Sequence, residues 1–318
     1  MMHFNGSELR ARLELRAMID RIVTVMRDRP STPQRQSVID ADGRELMLMP
    51  ATLGDFAGVK LLTVVPSNRG TSRPVISGLF TLFSLTSGEP LATMDAAELT
   101  ARRTSAISAT AAERLALPDS STLVVLGAGH LAPFMAVAHA AVRPIRHIRV
   151  WARNIDQAHA AVGKIRQLIT TRPTPVIEVA LDLEGAIRSA DIITATTRST
   201  APLIRGKWLR PGAHVDLVGG YKPNMREIDD DGVRLARIFV DDRVATIREA
   251  GDLIDPIERG VISADDIRGD LAELCAGAVG RSCGDEVTLF KAVGIGIADL
   301  IAAIQVWEQR PEQDTRNF

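Results

Sequence analysis

"VVLGAGHLA", residues 124–132, joins an apolar run that starts at Ser121 to a segment of helical composition. Gly127, Gly129 and Ala132 stand in a G-x-G-x-x-A spacing. Alone, that spacing is weak, because many α/β chains turn at glycine. A strand before it and a helix after it give it meaning. Gly127 permits the tight turn, Gly129 lets a pyrophosphate approach the backbone, and a helix opening near His130 and Leu131 offers aligned N–H groups.

Beyond Ala132 the runs "HIRVWAR", "VIEVALD", "DIITATT", "HVDLVGG" and "RIFVDD" follow, with helical or loop segments between most of them. Strands alternating with helices predict an α/β fold: a Rossmann-type, doubly wound parallel sheet. The second strand ends in Trp151-Ala152-Arg153-Asn154, where an acidic residue would ordinarily meet a free ribose 2′-hydroxyl. Arg153, beside Asn154, suits a 2′-phosphate instead, so NADPH is expected over NADH, with NADH possible.

Before Ser121 the texture differs. Leu9, Leu13, Met18, Ile22 and Val25 predict one amphipathic helix from Ser7, as N-cap, to about Asp28. Short β-rich runs between Arg35 and Leu85 predict a hairpin-rich sheet, and Asp95 can cap a long Ala-rich helix. This is a second, α+β domain with its boundary near Pro118, so that residues 1–118 and 119–294 form the two domains. After Asp242 helical patterns dominate, ending in "GIGIADLIAAIQVWEQ", and the polar tail "RPEQDTRNF" is expected to fray.

Composition narrows the partners. Lys plus Arg 38 against Asp plus Glu 39 gives a net charge of -1, which favours neither nucleic acid nor an anionic membrane and leaves a small molecule as the default. The amino terminus lacks the pattern of a signal peptide, and no apolar run reaches about 18 residues, so no membrane association and a cytoplasmic location are expected. Cys275 and Cys283 read as packing residues in a reducing compartment. The 6 histidines show no metal-ligand spacing, and no metal is expected.

The stretches "LMLMPA", "VKLLTVVPSN", "GEPLATMDAAELTARRTSAISATAAERLA", "VVLGAG", "VGGYKPNMREID" and "TLFKAVGIGIADL" carry a resemblance to the ornithine cyclodeaminase/mu-crystallin family from about Arg35 to Asp299. The resemblance implies a substrate and dimerisation domain completed by residues 295–318, an inserted dinucleotide domain, and a homodimer. It implies that Arg35, Lys60 and Arg103 line the substrate pocket. There a bidentate arginine can orient an α-carboxylate and a desolvated lysine can polarise or protonate a neighbour. It also implies a cofactor site lined by Arg103, Thr104, Thr196, Thr197, Arg198, Val218, Gly219, Gly220, Lys291 and Gly294.

Tyr221, the one tyrosine of the chain, departs from the family pattern. The matching position in the cyclodeaminases and alanine dehydrogenases of the family looks like an Asp that handles the amine. A phenol is neutral near neutral pH and cannot supply that charge. The resemblance therefore implies an NAD(P)H-dependent reductase of cyclic ketimine acids, Δ1-pyrroline-2-carboxylate or its six-membered homologue, yielding L-proline or L-pipecolate. Tyr221 would serve there as a pocket wall or proton donor. The alternatives are ornithine cyclodeamination, an alanine or N-alkyl-amino-acid dehydrogenase, and a non-catalytic NADP-dependent small-ligand binder of mu-crystallin type.

Overall fold

A computed structural model describes residues 1–311. Its contacts divide it into a first unit, Met1–Thr104 with the described residues from Ile295 onward, and a second unit, Ser105–Gly294. The first division falls at Thr104/Ser105, inside a long helix, whereas the sequence suggested a boundary near Pro118, just past that helix.

The first unit begins with β1 (Met2–Phe4), α1 (Gly6–Arg12) and α2 (Leu15–Arg27). The single helix expected from Ser7 to Asp28 is thus two. Asn5, not Ser7, is the first N-cap, accepting from the N–H groups of Ser7 and Glu8, and Glu14 caps the second helix by accepting from Arg16 and Ala17. A carboxylate that captures the free N–H groups of a new helix stabilises a restart that apolar spacing cannot reveal. Four antiparallel strands follow, β2 (Gln36–Ile39), β3 (Glu45–Leu53), β4 (Phe56–Val64) and β5 (Ile76–Ser84), then β6 (Pro90–Asp95). The sheet order is β1-β6-β5-β4-β3-β2, with β1 parallel to β6. Asp95 accepts from the Glu98 N–H at 2.8 Å and starts α3 (Ala96–Leu115), as expected.

The inner face of this sheet buries Met47, Met49, Ala51, Phe80, Leu82 and Met94. The C-terminal helix, Gly296–Glu308, packs on β3, β4 and β5 and is buried from Gly296 to Trp307, which is why its sequence is apolar nearly all round. The outer face is apolar too. Leu48, Leu61 and Leu79 stand in register across β3, β4 and β5, and Leu46 and Leu79 are exposed.

The second unit holds an eight-stranded, all-parallel sheet of β7 (Thr122–Leu126), β8 (His147–Trp151), β9 (Val176–Val179), β10 (Ile192–Ala195), β11 (His214–Leu217), β12 (Arg237–Val240), β13 (Ile267–Asp270) and β14 (Thr288–Lys291). The order is β13-β12-β14-β11-β10-β7-β8-β9, so the order in which strands are added reverses at β7/β10. β13 and β14 lie where the sequence read as mainly helical, and β14, only four residues long, enters between β11 and β12. The helices here are α4 (Ala132–Val142), α5 (Ile155–Leu168), α6 (Leu183–Arg188), α7 (Asp230–Leu235), α8 (Arg243–Glu249), α9 (Gly251–Glu258) and α10 (Leu271–Ala276). Val124, Leu126, Ile193, Val215 and Leu289 form one core cluster of the sheet, and Leu123, Val125, Ile148 and Val150 another.

The histidines are less scattered than their spacing suggests. Asp216 on β11, fully buried, accepts from Ser108 at 3.0 Å and Thr194 at 2.8 Å and meets His139 Nε2 at 3.0 Å. Burial pushes His214 down to about 3, so its ring is neutral, and its Nδ1 meets Thr288 at 3.0 Å. Cys275 is buried as a packing residue, but Cys283 is exposed, which corrects the packing expectation for the latter. No helix among the described residues is long and apolar enough to cross a membrane. Residues 312–318 of the tail expected to fray lie outside the described residues.

Candidate active site

In the first unit β4 alternates its side chains between the two faces, and Lys60 takes an inner-face position among apolar neighbours. It is 1% exposed. Thr100 and Arg103, one helical turn apart on α3, approach from one side. Asp299, in the first turn of the C-terminal helix and 0% exposed, approaches from another. Its Oδ1 accepts from Arg103 Nε at 2.8 Å and from Lys60 Nζ at 3.0 Å, and its Oδ2 lies 2.8 Å from the same Nζ. Lys60 Nζ also reaches Thr100 Oγ1 at 3.3 Å.

Arg35, half-buried just before β2, lies 3.7 Å through Nη1 from Met47 Sδ and acts on Lys60 electrostatically. One guanidinium and one ammonium thus share one carboxylate, and a second guanidinium charge is felt at the ammonium. Burial foremost, then the Arg103 charge, lowers the Lys60 pKa to about 7, against the opposing pull of Asp299. The cluster is short of negative charge, and the terminal Nη atoms of Arg103 have no protein partner among the described residues. An anion with two oxygens suits those donors. Lys60, Arg35 and Arg103 are therefore brought together, and Thr104 is buried beside them in sequence.

In the second unit Gly127 ends β7 with φ of +105°, and a Cβ there would stand 3.0 Å from Thr196 Oγ1, so only glycine fits comfortably. A Cβ on Gly129 would meet nothing within 4 Å. The N–H groups of Gly129, His130 and Leu131 donate to no protein acceptor among the described residues, and α4 follows directly with Ala132 buried. Open space over free N–H groups at a helix start fits a dinucleotide pyrophosphate. Arg153 is exposed at the end of β8 without an ion-pair partner among the described residues. Asn154 is engaged as the N-cap of α5, accepting from Gln157 N–H at 3.1 Å.

Beyond β10 and β11 a buried carboxylate organises the turns. Glu227 accepts from Thr197 N–H and Oγ1, both at 2.7 Å, and from the N–H groups of Gly219 at 2.9 Å and Gly220 at 3.3 Å. Burial pushes its carboxyl up to about 7, opposed by the Lys291 charge. Asp252 accepts from the N–H groups of Glu227 and Ile228 and ion-pairs with Lys291 at 3.0 Å. Lys291, expected among the cofactor contacts, is 0% exposed, and its ammonium lies close to the Gly219-Gly220 turn, 3.3 Å from where a Cβ on Gly220 would stand. Asp241 holds the N–H groups of Val293 and Gly294, the latter at φ of +88°. Val218 and Gly219 are partly accessible. The Tyr221 ring packs against Ala245, Ala250 and Val293.

The sequence reading missed Asp299, Glu227 and Asp252. A signal existed for Asp299, an acid inside the otherwise apolar "GIGIADLIAAIQVW". Glu227 and Asp252 stand among so many surface-like acids that nothing local separates them.

A family model described as the ornithine cyclodeaminase/mu-crystallin family matches residues 7–314. A Delta(1)-pyrroline-2-carboxylate reductase of Colwellia psychrerythraea is 34% identical over 288 residues, covering 88% of this chain and 90% of that protein. The structure of Thermococcus litoralis Delta(1)-pyrroline-2-carboxylate reductase, in complex with NADH and L-proline, superposes with a TM-score of 0.91 at 29% identity, covering 97% of each chain. An archaeal alanine dehydrogenase dimer with bound NAD gives 0.89 at 26% identity, over 97% of this chain and 95% of that one.

Proposed function

The chain belongs to the ornithine cyclodeaminase/mu-crystallin family, and from that premise we infer that it is an NAD(P)H-dependent reductase of cyclic ketimine acids, converting Δ1-pyrroline-2-carboxylate or its six-membered homologue to L-proline or L-pipecolate. The observation that carries this reading is the buried pairing of Lys60 and Arg103 with the single carboxylate of Asp299, with the charge of half-buried Arg35 also felt at Lys60. Such a cluster binds a compact anion. Arg103, with its terminal amino groups free, and Arg35 hold the substrate carboxylate. Lys60, whose pKa lies near neutrality, gives a proton to the ring nitrogen. Glu227, Asp252 and Lys291 hold the Gly219-Gly220 turn rigid by charge and hydrogen bonding. The glycine turns at Gly127 and Gly129 and at Gly219-Gly220 would hold a nicotinamide cofactor, which in its reduced form would supply the hydride.

Ornithine cyclodeamination fits less well. The carboxylates that hold the Gly219-Gly220 turn just before Tyr221, Glu227 and Asp252, are engaged by backbone N–H groups and Lys291 and are not free to handle a second amine. Tyr221, seated on Ala245, Ala250 and Val293, contributes shape to a pocket for a ring.

Purified protein is expected to oxidise NADPH or NADH on addition of Δ1-pyrroline-2-carboxylate or Δ1-piperideine-2-carboxylate, followed by absorbance at the nicotinamide band. Turnover of ornithine with NAD, or of pyruvate with an amine, in preference to both ketimines would overturn the reading. NADPH is the preferred cofactor on account of the unpaired Arg153. Arg153→Asp is expected to raise the KM for NADPH by about tenfold or more, an effect of roughly 1.4 kcal/mol, with little change for NADH. Equal changes for both would remove that preference.

The protein acts as a homodimer in the reducing cytoplasm. The apolar outer ladder of Leu48, Leu61 and Leu79 supports the dimer, because a sheet with one solvated face ordinarily alternates apolar and polar residues. Light scattering that gives the mass of one chain would exclude it.

A further inference from the structure

We propose that Asp299 is a positioning residue for the reduction: fixed between Lys60 and Arg103, its carboxylate keeps the Lys60 ammonium in place as proton source and leaves the terminal amino groups of Arg103 for the substrate carboxylate. The chemical step rests on the imine-reductase reading; the hold of Asp299 on its two neighbours rests on geometry alone.

A fully buried carboxylate in the first turn of an apolar helix is costly unless it is paired, and Asp299 is paired twice. Its Oδ1 takes the Nε edge of Arg103 at 2.8 Å, the one edge of the guanidinium that a bidentate clamp through both Nη atoms does not need. The same Oδ1 accepts from Lys60 Nζ at 3.0 Å, Oδ2 lies at 2.8 Å in ion-pair contact without a hydrogen bond of its own, and Thr100 Oγ1 lies 3.3 Å from that nitrogen. An ammonium has three N–H donors, so Asp299 and Thr100 orient it and leave one N–H for a ligand.

The charged groups that face Lys60 are Arg103 from α3, Arg35 from the segment before β2, and Asp299 from the C-terminal helix. Both arginines disfavour the ammonium. Asp299 alone among the three favours it. In the step itself the C=N π bond is lost, a C–H bond forms with the hydride of the nicotinamide, which is oxidised, and an N–H bond forms with the proton from Lys60. Water reprotonates the amine. Without Asp299 the lysine would stand neutral at working pH and Arg103 would lose its fixed edge.

The test is the pH profile of kcat/KM for ketimine reduction by the full chain and by Asp299→Asn, which keeps the shape and removes the charge. In the unaltered protein activity falls as pH rises through about 7, where Lys60 loses its proton. In Asp299→Asn that fall is expected about one pH unit lower or more, the size of one lost charge contact, together with a raised KM. Asp299→Glu is expected to restore part of the profile. A profile unmoved in Asp299→Asn, with kcat uniformly reduced, would reduce Asp299 to a packing role and overturn the proposal.

Nitrogen NMR of the lysine side chains reads the same coupling without turnover. A Lys60 ammonium that titrates identically in the unaltered and Asp299→Asn proteins sinks the proposal. So does an ordinary, unlowered lysine titration in the unaltered protein, should the variant fail to fold. Absence of any ketimine turnover by the unaltered chain would instead defeat the functional reading, and the NMR comparison would still decide the role of Asp299.

Discussion

Replacing Lys60 with methionine is expected to lower kcat/KM for cyclic ketimine reduction by about 10²- to 10⁴-fold, the usual contribution of a positioned proton donor, while cofactor affinity changes by less than about twofold. Methionine fills much of the volume of a side chain that is 1% exposed but offers no proton. Arg103 still pairs with Asp299 at 2.8 Å, so the carboxylate is not orphaned, and the stability loss stays below the roughly 3–5 kcal/mol of a fully broken buried pair.

The pH dependence separates catalysis from folding. The folded pKa of Lys60, about 7, lies below the ordinary lysine value of 10.5. Between those values the unfolded chain binds the proton and the folded chain does not, so this group makes the fold more stable as pH rises across the window. Below 7 both states are protonated and the burial penalty is present in full. Activity runs the opposite way, falling as the ammonium disappears. Lys60→Met is expected to erase the rise in stability between pH 7 and 10, as measured by urea unfolding. An unchanged stability profile beside normal turnover would show that Lys60 is neither buried as described nor a donor.

The second large effect concerns two glycines that look alike in sequence. Gly219→Ala would place a Cβ 2.0 Å from the Thr197 carbonyl oxygen and 2.4 Å from Glu227 Oε1. Backbone must shift, and the Glu227 hydrogen bonds to Thr197, Gly219 and Gly220 must shift with it. A loss of about 3 kcal/mol is expected, seen as a melting temperature lowered by roughly 6–12 °C. Gly129→Ala meets no atom within 4 Å, so the melting temperature should hold. Its Cβ instead enters the space above the free N–H groups, and NADH affinity is expected to fall by about tenfold or more. Titration calorimetry and thermal melts on both variants check the contrast. Equal melting temperatures for Gly219→Ala and the unaltered protein would contradict the packing described for that turn.

Much of the site was legible because its chemistry is local. The Gly127 turn follows directly from a strand, two glycines and a helix within the stretch from Ser121 to Ala140. Lys60 and Arg103 could be found because they stand in family stretches, and Asp95 because a cap lies within one turn of what it caps. The cradle under Gly219 was not legible. Glu227, Asp252 and Lys291 are separated by long stretches of chain, and an acid that holds buried N–H groups looks in sequence like any surface acid. The short strands β13 and β14 hid for a related reason, since four residues give too little alternation to outweigh the helical segments around them.

Apolar periodicity, glycine placement and family stretches, all properties of neighbouring residues, were enough by themselves to determine a parallel sheet and a separate hairpin-rich sheet, and to single out the Gly127 turn and the basic residues Lys60 and Arg103 as candidates. Tertiary structure alone decided which charges meet. Asp299 joins Lys60 and Arg103 although it is 239 and 196 residues away from them, and Lys291 pairs in the interior with Asp252. The physical reason is that pairing and desolvation depend on which surfaces the fold brings together. Burial, with the Arg103 charge beside it, sets Lys60 near neutrality against the pull of Asp299, whereas the same residues in water would do nothing of the kind.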